Sequence, residues 1–274
     1  MTKRDWIKYA ALFVLAVAAF GVAALALMNP RGIGAAAPEP AVSLVVPAAT
    51  ATPAATPTPT ATATVTATGT PVSRPKIALP AEPVVLILGD SYTAGDGAGS
   101  PGQGWANVVA KELGYPANID GVGGTGFAWG GGAQDELDGE YETRLRAVAA
   151  NPSFVPNVLI LQGGQNDAQV TSQDEVRAAT TQTIEAARRF WPGVQVVVLG
   201  PSAPQPLAEE LRTVNTAVRA GAEAAGAPFV DAVEGGWFTA ANSPGYDFDG
   251  AHPNAAGHAY IAAKFLEAWR ALVQ

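Results

Sequence analysis

The chain has 274 residues, enough for one sizeable domain with a substantial core and further segments around it. Its 24 acidic residues outnumber the 16 basic ones, and no long basic run follows the first few positions, which argues against a nucleic-acid partner. The absence of cysteine removes disulfides and thiolate chemistry, and two histidines, His252 and His258, are too few for a histidine-rich metal cage.

Lys3, Arg4 and Lys8 precede a nearly unbroken apolar stretch over residues 9–28. Positive charge ahead of such a stretch predicts a cytoplasmic N-terminus at residues 1–8, with the rest of the chain exported. The stretch is just long enough to span a bilayer, whereas a signal-peptide core usually runs about 7–15 residues, so its length favours a transmembrane anchor. Small residues in "ALALM" and "GAAAP" leave cleavage as the alternative. Residues 29–80 turn to Ala, Thr and Pro, as in "ATPAATPTPTATATVTATGTP". Such a segment lacks the large apolar side chains that offset ordering entropy, and it reads as a disordered linker, plain or glycosylated on threonine.

From residue 81 the texture is that of a globular domain. "VVLIL" at 84–88 is apolar at every position, as expected for a parallel strand covered on both faces. "VLIL" at 158–161 and "VQVVVL" at 194–199 read the same way, and 117–120 and 228–230 are shorter candidates. Helical patterns fall between them: "GWANVVAKELG", "SQDEVRAATTQTIEAARRFWPG", "AEELRTVNTAVRAGAEAAG" and "AAGHAYIAAKFLEAWRALV". The second opens on a capping serine with acids in its first turn and closes on arginines before Pro192-Gly193. This alternation predicts an α/β fold, a three-layer doubly wound, flavodoxin-like parallel sheet of about five strands with helices on both faces.

Ligands of open parallel sheets bind beyond the carboxyl ends of the strands, so the residues after each apolar run come first. They are Gly89-Asp90-Ser91 after the first strand, "QGGQND" at 162–167, and Gly200-Pro201-Ser202. A serine is a weak nucleophile without a base and oxyanion donors, and Ser91 could equally cap the helix that follows. The base candidate is His252, in "DFDGAHPNAAGH", with Asp249 three residues before it to accept from the imidazole. Seen alone, His252 also fits a loop or capping role. His258, inside the helical stretch, reads as a partly exposed surface histidine. Asn166 fits either an oxyanion donor or a turn. "GVGGTGFAWGGG" fits a loop whose backbone N–H groups approach a ligand, or a flexible loop. Trp105, Phe127 and Trp129 are candidates for a substrate subsite or for core packing.

Three blocks taken together carry a resemblance. "GDSYTAG" resembles the first signature block of the SGNH (GDSL-type) hydrolases, "GQND" their G-x-N-D block and "DGAH" their D-x-x-H block. The glycine block matches less sharply, but all four occur in the family's order. The resemblance implies Ser91 as nucleophile, His252 as base and Asp249 as its orienting acid. It also implies an oxyanion hole from the Ser91 N–H, the Gly124 N–H (Gly123 being the second choice) and the Asn166 side chain. Beside the resemblance, the aromatic character of Trp129 and Phe127 makes them the candidates for substrate contact. The implied activity is an extracytoplasmic serine esterase acting on a glycan or short-chain acyl ester, without metal or organic cofactor.

The alternatives are a lipase, phospholipase or acyltransferase on the same residues, or a non-catalytic cell-surface binding domain. A G-x-G-x-x-G match at Gly121 to Gly126 does not follow the first strand and does not open a helix, so it is not read as a dinucleotide site. The expected partners are the ester substrate and, through the N-terminal segment, a membrane. A monomer is expected.

Overall fold

The computed structural model describes residues 75–131, 139–170 and 172–273. The expected cytoplasmic and anchor segments lie outside the described residues, as does the linker up to residue 74. Among the described residues no helix is long and apolar enough to cross a membrane.

Five parallel strands form the sheet: β1 (Val85–Gly89), β2 (Ala117–Gly121), β3 (Val158–Gln162), β4 (Gln195–Leu199) and β5 (Phe229–Val230). Their order is β2-β1-β3-β4-β5, the doubly wound arrangement the sequence predicts. Every residue of β1 and β3 is buried, which requires cover on both sheet faces and explains their unbroken apolar runs. β2 is an edge strand, which is why "ANIDG" carries so little apolar signal.

Seven helices are described: α1 (Ser91–Ala94), α2 (Trp105–Leu113), α3 (Tyr141–Ala149), α4 (Gln173–Phe190), α5 (Leu207–Glu210), α6 (Arg212–Ala224) and α7 (Ala255–Leu272). α2 packs on α7, while α4 packs on both α3 and α6. Ser172 caps α4 by accepting from the Glu175 N–H, and Asn254 caps α7 by accepting from the Gly257 N–H. The single helix expected near 208–226 is divided at Leu211 into α5 and α6.

Three sequence expectations need correction. Ile77 falls inside the stretch assigned to the linker, yet it is buried, donates its N–H to the Leu272 carbonyl and bridges Val273. The packed domain therefore starts before residue 81. Phe127 is 1% exposed and packs on Tyr141 with ring centroids 4.8 Å apart, so it belongs to the core and not to a substrate subsite. Trp105 takes the core-packing alternative, buried and edge-on to Phe265. His258 is fully buried, because α7 turns that face onto the start of α2 and the segment after α1, where both ring nitrogens find partners.

Candidate active site

β1 delivers the chain to the site. Gly89 closes it where no side chain fits: a Cβ there would stand 2.2 Å from Thr93 Oγ1 and 2.8 Å from the Gln162 carbonyl. Asp90 follows as the N-cap of α1, accepting from the Tyr92 N–H at 2.9 Å. Ser91 is then the first helical residue, whose N–H has no intrahelical acceptor. Asp90 also accepts from Gln162 Nε2 at 3.1 Å, and Gln162 Oε1 accepts from Thr93 Oγ1 at 2.7 Å. Burial pushes the Asp90 carboxyl up to about 7, against the opposing pull of those hydrogen bonds.

The segment before α7 supplies the imidazole. His252 Nε2 lies 3.1 Å from Ser91 Oγ, and His252 Nδ1 lies 3.0 Å from Asp249 Oδ2. Asp249 Oδ1 also accepts from the N–H groups of Ala251 at 2.9 Å and His252 at 2.8 Å. The His252 hydrogen bond comes first, with those amides behind it, in holding the Asp249 carboxyl down at about 2. An ionised Asp249 places the imidazole proton on Nδ1 and leaves the Nε2 lone pair facing the Ser91 hydroxyl. His252 is about a quarter exposed and Asp249 nearly half, so the site opens to solvent.

The loop after β2 forms the opposite wall. A Cβ on Gly123 would stand 3.7 Å from Ser91 Cβ, whereas one on Gly124 would face Gly131. Gly123 therefore faces Ser91, and neither its N–H nor that of Gly124 has an acceptor among the described residues. Asn166, in a 3-10 turn after β3, donates from Nδ2 to the Thr125 carbonyl at 2.9 Å, leaving a second N–H on the same nitrogen. Asp167 is buried and accepts from the N–H groups of Phe127 at 3.1 Å and Ala128 at 2.7 Å. Trp129, the other subsite candidate, is half-buried on this loop.

Several residues that hold this arrangement carry no sequence signal of their own. Arg144 on α3 is 9% exposed. Its guanidinium donates to the Gly89 carbonyl at 2.9 Å, Thr125 Oγ1 at 2.8 Å, and Asp120 at both its carbonyl (2.6 Å) and Oδ1 (2.8 Å). One side chain thus joins the ends of β1 and β2 to the glycine loop. Tyr92 Oη donates to the Ala251 carbonyl at 2.7 Å, and burial pushes its phenol well up, keeping it a donor. His258 donates from Nε2 to the Asp96 carbonyl at 2.9 Å and accepts the Trp105 N–H at Nδ1. Burial lowers its affinity for a second proton.

A serine hydroxyl facing an oriented imidazole, with N–H donors across the cleft, is equipped for acyl transfer. Comparison with known proteins agrees. The profile of the GDSL-like lipase/acylhydrolase family matches residues 87–260. A GDSL lipase of Mycobacterium tuberculosis is 29% identical over 192 residues, covering 66% of this chain and 78% of that protein. Among solved structures, a protein from Lactobacillus plantarum aligns with a TM-score of 0.55 at 18% identity, over 71% of this chain and 98% of its own. A family two carbohydrate esterase from Clostridium thermocellum, in complex with cellohexaose, gives 0.53 at 20% identity, over 71% and 66%. A carbohydrate acetylesterase family member from Sinorhizobium meliloti gives 0.51 at 18%, over 69% and 98%. These structures share the fold. The chain belongs to the GDSL-like lipase/acylhydrolase family and is a serine ester hydrolase.

Proposed function

We propose that this protein is an extracytoplasmic esterase that removes acetyl or other short acyl groups from glycans or small alcohols, using Ser91, His252 and Asp249 as a catalytic triad. The observation that carries this reading is the continuous line of hydrogen bonds from Ser91 Oγ through the His252 ring to Asp249. Ser91 Oγ attacks the ester carbonyl as its proton passes to His252 Nε2, and Asp249 stabilises the imidazolium that forms. The carbonyl oxygen becomes an oxyanion that accepts from the Ser91 N–H, the Gly124 N–H and the Asn166 amide. As the intermediate collapses, His252 returns the proton to the departing alcohol and the acyl group stays on Ser91. Water then attacks the acyl-enzyme, giving its proton to His252, and the acid leaves as Ser91 Oγ is reprotonated.

The open cleft supports a bulky alcohol such as a sugar, since neither His252 nor Asp249 is enclosed. The site outside the cytoplasm rests on the sequence: the basic residues at 1–8, the apolar stretch at 9–28 and the Ala/Thr/Pro linker that follows. The Mycobacterium relative, named as a lipase, makes longer acyl esters the second substrate class. Purified Ser91→Ala protein, assayed on p-nitrophenyl acetate, acetylated glycans and graded p-nitrophenyl acyl chains, is expected to lose nearly all turnover. Near-wild-type turnover in that variant would overturn the reading.

A further inference from the structure

Five segments follow the carboxyl ends of the strands, on the rim of the sheet that carries Ser91, and none of them contains a lysine or arginine: 89–104, 121–131, 162–170, 199–206 and 231–254. Among the described residues, the guanidinium that reaches the ends of β1 and β2 is that of Arg144, which is buried and committed to Gly89, Asp120 and Thr125. An anionic substrate therefore meets no free basic side chain on any of these five segments.

It meets a carboxylate instead. Asp96 is held by its backbone at both ends: its N–H donates to the Ser91 carbonyl at 3.0 Å, and its own carbonyl accepts from His258 Nε2 at 2.9 Å. Its side chain is exposed and reaches across to the glycine loop. The point where a Gly123 Cβ would stand lies 3.6 Å from Asp96 Oδ2 and 3.7 Å from Ser91 Cβ. A negative charge and the Ser91 side chain thus border one spot beside Gly123.

We propose that Asp96 is a specificity-determining residue that makes the site select electroneutral esters over esters carrying a negative charge near the scissile bond. The proposal rests on Ser91 being the nucleophile. A substrate anion about 7 Å from the Asp96 carboxylate, with no cation between them, feels a repulsion worth about 3-fold in rate at the dielectric of water and about 50-fold at an effective dielectric of about 20. The substrates this favours are uncharged acylated sugars and uncharged acyl glycerols. Those it disfavours carry a phosphate or carboxylate beside the ester, such as acidic glycans and anionic phospholipids.

The test compares kcat/KM for p-nitrophenyl acetate and p-nitrophenyl hemisuccinate in the wild type, Asp96→Asn and Asp174→Asn. Asp174 lies on α4 with an 89% exposed side chain, so its variant changes net charge equally without touching the cleft. Asp96→Asn is expected to raise the hemisuccinate-to-acetate ratio about 3- to 50-fold, and Asp174→Asn to leave it as in the wild type. In the wild type itself, raising salt from about 0.01 M to about 1 M should narrow the preference as the Debye length shrinks. An unchanged ratio in Asp96→Asn, or an equal shift in Asp174→Asn, overturns the proposal alone. A wild type inactive on both esters overturns the esterase reading as well.

Discussion

Tyr92 Oη donates to the Ala251 carbonyl at 2.7 Å, so the residue after Ser91 grips the residue before His252. Ser91 and His252 are 161 positions apart in the chain and are borne on the first and last segments of the sheet's upper rim. Their hydrogen bond needs sub-ångström agreement between those two segments. The Tyr92 phenol supplies a tie directly behind that hydrogen bond, and its ring sits with its centroid 5.9 Å from that of His252.

The arrangement at Asp249 predicts a rate defect without unfolding. In Asp249→Asn the side-chain oxygen still accepts from the Ala251 and His252 amides, but an NH2 replaces the oxygen facing Nδ1. The imidazole then favours the tautomer that cannot take the serine proton. kcat is expected to fall by up to about 10⁴-fold, with the melting temperature close to that of the wild type. Steady-state kinetics beside a thermal melt decides it; unchanged kcat would remove Asp249 from the mechanism.

Asn166 acts on the transition state in the proposed scheme, so its loss should fall on kcat and spare KM. Asn166→Ala is expected to lower kcat by about 10²–10³-fold on p-nitrophenyl acetate. A rise in KM at constant kcat would instead make Asn166 a contact for bound substrate.

Arg144 predicts a split between stability and rate. Arg144→Ala takes a donor from the Asp120 carbonyl and carboxylate, from Thr125 Oγ1 and from the Gly89 carbonyl, which keeps the Val122 N–H, in a site where the arginine side chain is only 10% exposed. Breaking such a buried ion pair is expected to cost about 3–5 kcal/mol in a urea titration. Arg144→Lys keeps the charge but cannot span four acceptors, so it should recover part of the stability while kcat stays about ten- to a hundredfold low. Full recovery of kcat by lysine would reduce Arg144 to a charge partner of Asp120.

Asp90 predicts a pH dependence of opposite sign to that of most paired carboxylates. Its folded value, about 7, lies above the ordinary 3.8 because burial penalises the anion. Between these limits the folded chain holds a proton that the unfolded chain has released. Its contribution to stability therefore falls as pH rises from about 4 to about 7, by at most about 1.4 kcal/mol per pH unit. Asp90→Asn sets an NH2 against Gln162 Nε2 and lowers stability throughout, but it should remove this slope. Urea titrations across that range test it, and an identical slope in the variant would contradict the assignment.

The strands and signature blocks were legible because they carry strong local patterns: unbroken apolar runs for β1 and β3, and Gly, Ser, Asn and His at strand ends. What escaped depends on neighbours remote in sequence. "YETRLRAVA" is a short, charged stretch, and nothing in it announces that Arg144 points inward to three segments. His258 has ordinary helical spacing, and only the packing of α7 on α2 turns it into a buried link between Asp96 and Trp105. Phe127 looked available to substrate because its glycine-rich surroundings resemble a surface loop. Asp167, which pins the Phe127 and Ala128 amides, folds that loop against Tyr141.

The bridge between Ile77 and Val273 has a bearing on how this protein can be handled. Ala78 donates to Gln195 Oε1, at the first residue of β4, so the chain joins the fold at the amino end of the sheet. Ser91 follows β1 at the carboxyl end, with about 17 Å of strand between the two levels. A solid support, a tag or a fused partner joined ahead of Pro75 thus attaches on the side away from the cleft. The same graft placed at the Asp249–His252 turn would sit on the proposed triad itself.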